Sequence, residues 1–438
     1  MGYDGWRKVY LRDLIDIKHG FAFKGEFFRT APPGDILLTP GNFAIGGGFK
    51  YDKLKYYDGP VPENFVLSAD DLLVTMTDLS KETDTLGYPA LVPETPSGQG
   101  RYLHNQRLGL VLITAPEELN RHFLYYLMCS QPYRHEIVAG ATGTTVRHTS
   151  PSKIKAYRAS LPPMEHQQRI ADILGSLDDR IELNRRTNRV LEDMARAIFK
   201  AWFIDFLPVR WKAAQAGNQP SPPAPLPEVE GGDPAAAFGM PQEVFDQLPD
   251  RFTDSELGPV PEGWEVDRVE SVCAFNYGKA LKAADRRGGD VPVYGSNGIV
   301  GAHDEALVSG PGVVVGRKGN PGTVNWVDRD FFPIDTTFYV SSELPLSYLR
   351  YALEQLNLAG YGSDSAVPGL SRKMAYSLSV LVPDREITAA FDAAFQTMQS
   401  FESINARESR VLAELRDTLL PELISGELRV PEIEANLE

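Results

Sequence analysis

Ile170-Ala-Asp-Ile-Leu174-Gly-Ser-Leu177-Asp-Asp-Arg-Ile181-Glu-Leu-Asn184 decides the architecture. Its seam positions recur at alternating steps of four and three, and the pattern continues through Asn188, Leu191, Ala195, Ile198 and Trp202. An average step of 3.5 keeps one stripe of a helix facing a partner. The same alternation returns at Ile387, Phe391, Ala394, Met398, Phe401, Asn405, Glu408, Leu412, Leu415 and Leu419. Neither Pro nor Gly interrupts the second run before Pro421, and only Gly175 interrupts the first, at a cost of about 1 kcal/mol. A shift of 221 residues superposes Ile170 on Phe391, Asn184 on Asn405 and Leu191 on Leu412. Two asparagines at matching seam positions point to a role in register.

Outward from these helices the chain is a repeat. Gly5-Trp6 opens one copy and Gly263-Trp264 the other. Each copy runs through short alternating, strand-like segments into a polar loop. In the first copy the loop is Gly140-Ala-Thr-Gly-Thr-Thr-Val-Arg147-His148; in the second it runs from Gly360 to Arg372-Lys373. A short apolar strand follows, ending Leu161-Pro162-Pro163 or Leu381-Val382-Pro383, and then the long helix. The offset between copies falls from 258 at the start to 220 at the end, so the second copy is shorter in its body. Between the copies, residues 208–261 hold 11 prolines, which predicts an extended, largely exposed connector.

The net charge of −15 is a poor first sign for a nucleic-acid binder. Residues 1–163, however, hold 18 Lys/Arg against 17 Asp/Glu, and residues 264–383 hold 11 against 13. The excess lies mainly in 207–263, with 3 against 9, and in 384–438, with 5 against 12. Two near-neutral domains remain, and a neutral domain can carry a basic face. Cys129 and Cys273 are too few and too far apart for a disulfide framework or thiolate cluster. No apolar run approaches a membrane span and the first residues do not read as a signal peptide, so a cytoplasmic protein is expected.

Catalytic motifs are missing. The sequence has no dinucleotide or phosphate-binding glycine loop, no Asn/Asp-Pro-Pro-aromatic tetrapeptide, and no metal-ligand spacing among its seven histidines. Acidic-x-Lys strings at Asp16 and around Asp52 are too short to mean a nuclease. What stands out instead is polar loops that mix basic and small residues. Thr144, Thr145, Arg147 and His148 lead into Lys153 and Lys155, a composition suited to phosphate oxygens. Arg101, Asn105, Gln106 and Arg107 include the side chains that make bidentate contacts to guanine and adenine edges. In the second copy, Ser296 and Asn297 sit in one glycine-bounded turn, Arg317, Lys318 and Asn320 in another, and Arg372 and Lys373 follow the late loop. Each could also be a solvated surface loop; their recurrence in both copies favours binding.

The string Leu161-Pro-Pro-Met-Glu-His-Gln-Gln-Arg-Ile-Ala-Asp-Ile-Leu174, with Leu177-Asp-Asp-Arg-Ile181, closely resembles the central repeat of type I restriction–modification specificity subunits. Ala197-Ile-Phe-Lys-Ala-Trp-Phe-Ile-Asp-Phe206 looks like the end of that helix. Ser255-Glu-Leu-Gly-Pro-Val-Pro-Glu-Gly-Trp264 resembles the entry to a second recognition domain, and Leu419 to Val430 the family's C-terminal signature. The resemblance implies an α+β fold: two mixed α/β target-recognition domains, each followed by a long helix, the helices packing as an antiparallel coiled coil with pseudo-twofold symmetry. Its divisions would be recognition domain 1 at 1–160, spacer helix at 161–207, Pro-rich linker at 208–262, recognition domain 2 at 263–383, and C-terminal helix and tail at 384–431. The seam would comprise Ile170, Leu174, Leu177, Ile181, Asn184, Leu191, Ile198 and Trp202 against Phe391, Met398, Asn405, Leu412, Leu415 and Leu419.

The resemblance further implies a non-catalytic chain that reads a split, asymmetric site in double-stranded DNA. Two methyltransferase subunits would dock on the helices, and restriction–translocase subunits could join them. S-adenosylmethionine, ATP and Mg would belong to those partners, with no cofactor or metal in this chain. Two other readings stay open at this point. One is a fused methyltransferase–nuclease, which would need a cofactor motif; the other is a coiled-coil scaffold whose recognition domains no longer read DNA.

Overall fold

A computed structural model of the chain describes residues 5–51, 54–78, 84–95, 100–143, 146–218, 233–361 and 369–428. Contacts divide it into two compact units, 1–183 with 408–438, and 184–407. Each unit takes one copy of the repeat together with half of each long helix, Met164–Phe203 and Arg385–Ser425.

In the first unit, the opening strand Arg7–Tyr10 pairs antiparallel with Arg158–Leu161, so the start and end of the domain close on each other. A four-stranded antiparallel sheet has the order Ile15–His19, Leu108–Ile113, Leu72–Thr75, Pro89–Leu91. A second sheet holds Asp35–Leu38 parallel to Tyr102–His104 and antiparallel to Lys55–Tyr57, with short strands Phe28–Arg29 and Val66–Leu67 at its edges. The second unit repeats this plan. Glu265–Arg268 pairs with Ser379–Val382. A four-stranded antiparallel sheet has the order Ala274–Tyr277, Thr337–Ser341, Gly312–Gly316, Val324–Val327. Val291–Gly295 lies parallel to Phe332–Pro333 and antiparallel to Gly298–His303.

The correspondence reaches single residues. Gly20 and Gly278 lie 258 positions apart, and both sit where chain segments touch. A Cβ on Gly20 would fall 2.1 Å from the Asn105 carbonyl oxygen, and one on Gly278 2.1 Å from that of Ile334. The body of the second copy is shorter where one strand turns into the next: residues 39–54 in the first domain are replaced by Ser296 and Asn297 alone.

Each unit has its own core. In the first, Ile170, Ala171 and Leu174 of the first long helix and Leu423 and Ile424 of the second join Phe123, Leu124 and Leu127 of helix Arg121–Cys129. In the second, Phe199, Trp202 and Phe203 meet Phe391 and Phe395, with Tyr348 and Tyr351 of helix Leu346–Gln355. Within both units the long helices run antiparallel. In the first, Arg416 bonds Asp178 at 2.7 Å and Arg180 bonds Glu408 at 3.0 Å. In the second, Asn405 Nδ2 donates to Asn188 Oδ1 at 2.7 Å, and the amides of Asn184 and Asn188 donate to the carbonyls of Asn405 and Glu402. The buried Asn184 and the half-buried Asn188 and Asn405 therefore bond across the seam.

Two expectations need correction. On the second helix Leu415 is 45% exposed and Phe401 54%, so neither lies in the seam. The covered stripe is Phe391, Phe395, Met398, Glu402, Asn405, Ser409, Leu412, Arg416, Leu419 and Leu423. Alternate seam positions thus sit one residue later than apolarity indicates, because Glu402 and Arg416 fill places that hydropathy assigns to Phe401 and Leu415. The connector, too, is not simply exposed. Leu207–Gln215, Pro234–Ala237 and Gln242–Gln247 are helical, and Phe252–Ser255 pairs with Gly258–Pro261. Val209, Ala235, Phe238, Met240, Phe245 and Leu248 are buried in the second unit's core, and Trp202 Nε1 donates to the Phe238 carbonyl at 2.8 Å. These apolar residues outweigh the prolines around them. The densest proline run, within 219–232, lies outside the described residues.

Candidate nucleic-acid interface

In the first domain the backbone of Met76 gathers two of the predicted loops. Its N–H donates to the Arg107 carbonyl and its carbonyl accepts from Thr149, both at 3.0 Å. Arg147 and His148 pair with Asp78 and Thr77, and Thr77 Oγ1 lies 3.1 Å from His148 Nδ1. The turn Asn105–Arg107 is held by Asn105 Oδ1, which accepts from the Arg107 N–H at 3.0 Å, leaving Gln106 and Arg107 exposed. Asn105, Gln106, Arg107, Arg147 and His148 are thereby neighbours through Met76–Asp78. Thr144 and Thr145 lie outside the described residues.

Three other predicted cations have partners within the domain. Arg101 bonds Asp35 at 2.8 Å and Glu63 at 2.9 Å, and both carboxylates hold its guanidinium pKa above the usual arginine value, Asp35 the more strongly. Lys155 bonds Asp16 at 2.8 Å and draws that carboxyl below its usual range. The Lys153 ammonium donates to the Gly140 carbonyl. These three brace the domain's loops.

In the second domain the predicted turns also converge. Thr323 Oγ1 donates to the Ser296 carbonyl at 2.7 Å, while the N–H groups of Arg317 and Lys318 donate to the Thr336 carbonyl at 2.9 and 3.1 Å. Ser296 is buried and shapes the turn, whereas Asn297, Lys318 and Asn320 are exposed. Leu370 N–H donates to the Arg317 carbonyl at 2.8 Å, bringing in the segment that starts the short helix Arg372–Tyr376. Arg317 and Arg372 both pack on the ring of Tyr277, with guanidinium carbons 4.8 and 4.9 Å from its centroid. Arg372, Lys373 and Tyr376 line a cleft of ≈640 Å³ together with Arg268, Glu270 and Ser377. Tyr277 escaped the sequence reading because a lone aromatic at a strand end carries no motif. Among the described residues no cluster of His, Cys, Asp and Glu could hold a metal ion, and no helix is long and apolar enough to cross a membrane.

Residues 3–193 match the profile of the type I restriction modification DNA specificity domain. Over that span, the first copy and most of the first long helix, the chain is similar to type I restriction–modification specificity subunits. The HindI specificity subunit of Haemophilus influenzae is 26% identical over 357 residues, covering 70% of this chain and 77% of that one. The MjaIX specificity subunit of Methanocaldococcus jannaschii is 25% identical over 324 residues, covering 71% and 70%. The crystal structure of the S subunit from M. genitalium shares the fold, with a TM-score of 0.53 at 17% identity over 97% of both chains.

Proposed function

We propose that this chain is the DNA-reading, non-catalytic subunit of a type I restriction–modification complex, in which each recognition domain reads one half of a bipartite, asymmetric site in double-stranded DNA. The observation that carries this reading is the duplication: the same strand order built twice, each time ending in a 40- or 41-residue helix. Asn105, Gln106, Arg107, Arg147 and His148 face one half-site. Asn297, Arg317, Lys318, Asn320, Arg372 and Lys373 face the other. Asn and Gln tips and part of the arginines read base edges, while Lys, hydroxyl groups and the other arginines position phosphates.

The helices act as the spacer. Forty residues at about 1.5 Å each reach roughly 60 Å, against about 34 Å for a DNA turn. Leu183, Val190, Met194, Phe401, Ile404, Val411 and Leu415 are exposed apolar side chains on these helices, suited to docking methyltransferase subunits. Those partners would bring S-adenosylmethionine, and restriction–translocase subunits would bring ATP and Mg; an adenine flipped from the duplex would enter the methyltransferase pocket.

Co-expression with the methyltransferase and genome-wide mapping of methylated adenines tests the proposal. One bipartite motif is expected. Methylation without sequence preference overturns it. Insertion of one heptad into either helix should change the tolerated spacer, or abolish methylation, and leave both half-sites unchanged.

A further inference from the structure

The proposed function treats the two recognition domains as equals; their equivalent positions say otherwise. Arg317 and Met76 occupy the same place, since each takes one backbone hydrogen bond from the late loop (Leu370 or Thr149) and gives one to the chain before the next strand (Thr336 or Arg107). Tyr277 and His19 both end the first strand of the four-stranded sheet, immediately before Gly278 and Gly20. Arg372 and Pro151 both open the short helix that follows Ser371 or Ser150. One domain therefore carries tyrosine and two arginines where the other carries histidine, methionine and proline.

The three side chains form an assembled group. Tyr277 is 49% exposed, packs on Phe338 at 5.1 Å, and holds both guanidiniums against its ring. Arg372 also rests on Tyr376 at 5.7 Å. Arg317 donates to the Asp335 carbonyl at 3.0 Å and Arg372 to that of Phe275 at 3.5 Å, so each is oriented by a neutral acceptor. Three other arginines of this domain bond carboxylates, Arg268 with Glu256, Arg287 with Asp304 and Arg329 with Asp328, while Arg286 donates to the Val300 carbonyl and lies away from Tyr277. Among the described residues no ion pair neutralises Arg317 or Arg372. Two cations without an ion-pair partner among the described residues, and with restricted rotamers, suit an external anion with repeating charge, which is a phosphodiester backbone.

We infer that Arg317 and Arg372, positioned by Tyr277, form a preassembled anchor for the DNA backbone beside the second half-site, and that the first domain has no counterpart. The inference rests on the proposed function, and the second domain then carries the larger share of the salt-dependent affinity.

The test uses the complete chain in complex with its methyltransferase subunits, and measures binding to a duplex bearing the mapped site and to one with a scrambled second half-site, between 50 and 200 mM salt as a range of roughly this width resolves the slope. The double variant Arg317→Ala/Arg372→Ala should weaken binding to both duplexes about tenfold to a hundredfold, and flatten the slope of log K against log salt by about 1.8. Arg317→Lys/Arg372→Lys should keep most of the slope. Tyr277→Ala should lose part of the affinity and Tyr277→Phe should restore it, because the ring holds the guanidiniums. His19→Ala in the first domain should leave the slope unchanged. Unchanged affinity and slope in the alanine double variant overturn the anchor, as does loss confined to the matched duplex, which would mean base reading. A Tyr277→Phe variant as weak as Tyr277→Ala overturns the positioning role. If the unsubstituted complex does not distinguish the two duplexes, the proposed function fails, while the slope still judges the anchor.

Discussion

The two recognition domains share their strand order and differ in what they place on it. The close approach made by Gly20 is made again by Gly278, and the backbone bonds around Met76 recur around Arg317. Yet the first domain spends three of its predicted cations inside itself, on Asp35, Glu63, Asp16 and the Gly140 carbonyl, while the second leaves two arginines stacked on an exposed tyrosine. A backbone frame fixed by main-chain bonds positions loops without constraining their side chains. That separation lets two domains of one plan present unlike side chains.

The ends of the helix pair differ as well, aliphatic in the first unit and aromatic in the second. The largest expected effects break this contrast. Phe391→Ala should cost about 3–5 kcal/mol and Leu174→Ala about 2–5 kcal/mol, each destabilising its own unit first, as read by denaturant unfolding with hydrogen exchange. Equal loss of protection in both units from either variant would show that the cores are not independent.

A smaller effect is expected at Asp178, which accepts from Tyr126 and Arg416 and is 26% exposed. Asp178→Ala leaves both donors without this acceptor and should cost about 1–3 kcal/mol in the first unit. In the second unit Glu192, also on the first long helix, bonds Arg350 at 2.7 Å beside Tyr351. Glu192→Ala should fall in the same range; a value near zero would mean that this contact does not hold the helix to its domain.

Acid should separate the domains further. Burial pushes His104 down to about 4 from its ordinary 6.5, and its Nε2 lies 3.0 Å from the Leu108 carbonyl. The unfolded chain therefore binds a proton more readily than the folded one. The stability this residue contributes is complete above pH 6.5 and is lost as pH falls towards 4. Pro333, at the matching place in the second domain, has no proton to gain. Amide protection in strand Tyr102–His104, corrected for intrinsic exchange, should drop between pH 6.5 and 4.5; constant protection would remove this prediction. The smallest effect belongs to the half-exposed pair of Arg180 and Glu408, where Arg180→Ala should barely change thermal unfolding, and a clear loss would mark the pair as structural.

The sequence alone determined the repeat, both long helices and the asparagines of their seam. These are local signals: periodic apolar spacing, a Gly-Trp pair opening each copy, and matched polar residues in an apolar stripe. It also pointed to the loops that gather around Met76 and Arg317. Tertiary structure alone decided that Arg416 and Glu402, and not Leu415 and Phe401, face the partner helix; Arg416 is held there by Asp178, 238 residues away, a partner that local periodicity does not show. It likewise decided that Arg101 and Lys155 are bound internally and that Tyr277 gathers two arginines from separate loops. Charge and aromaticity are written in the chain residue by residue; which charges meet a partner is set by segments far apart in sequence.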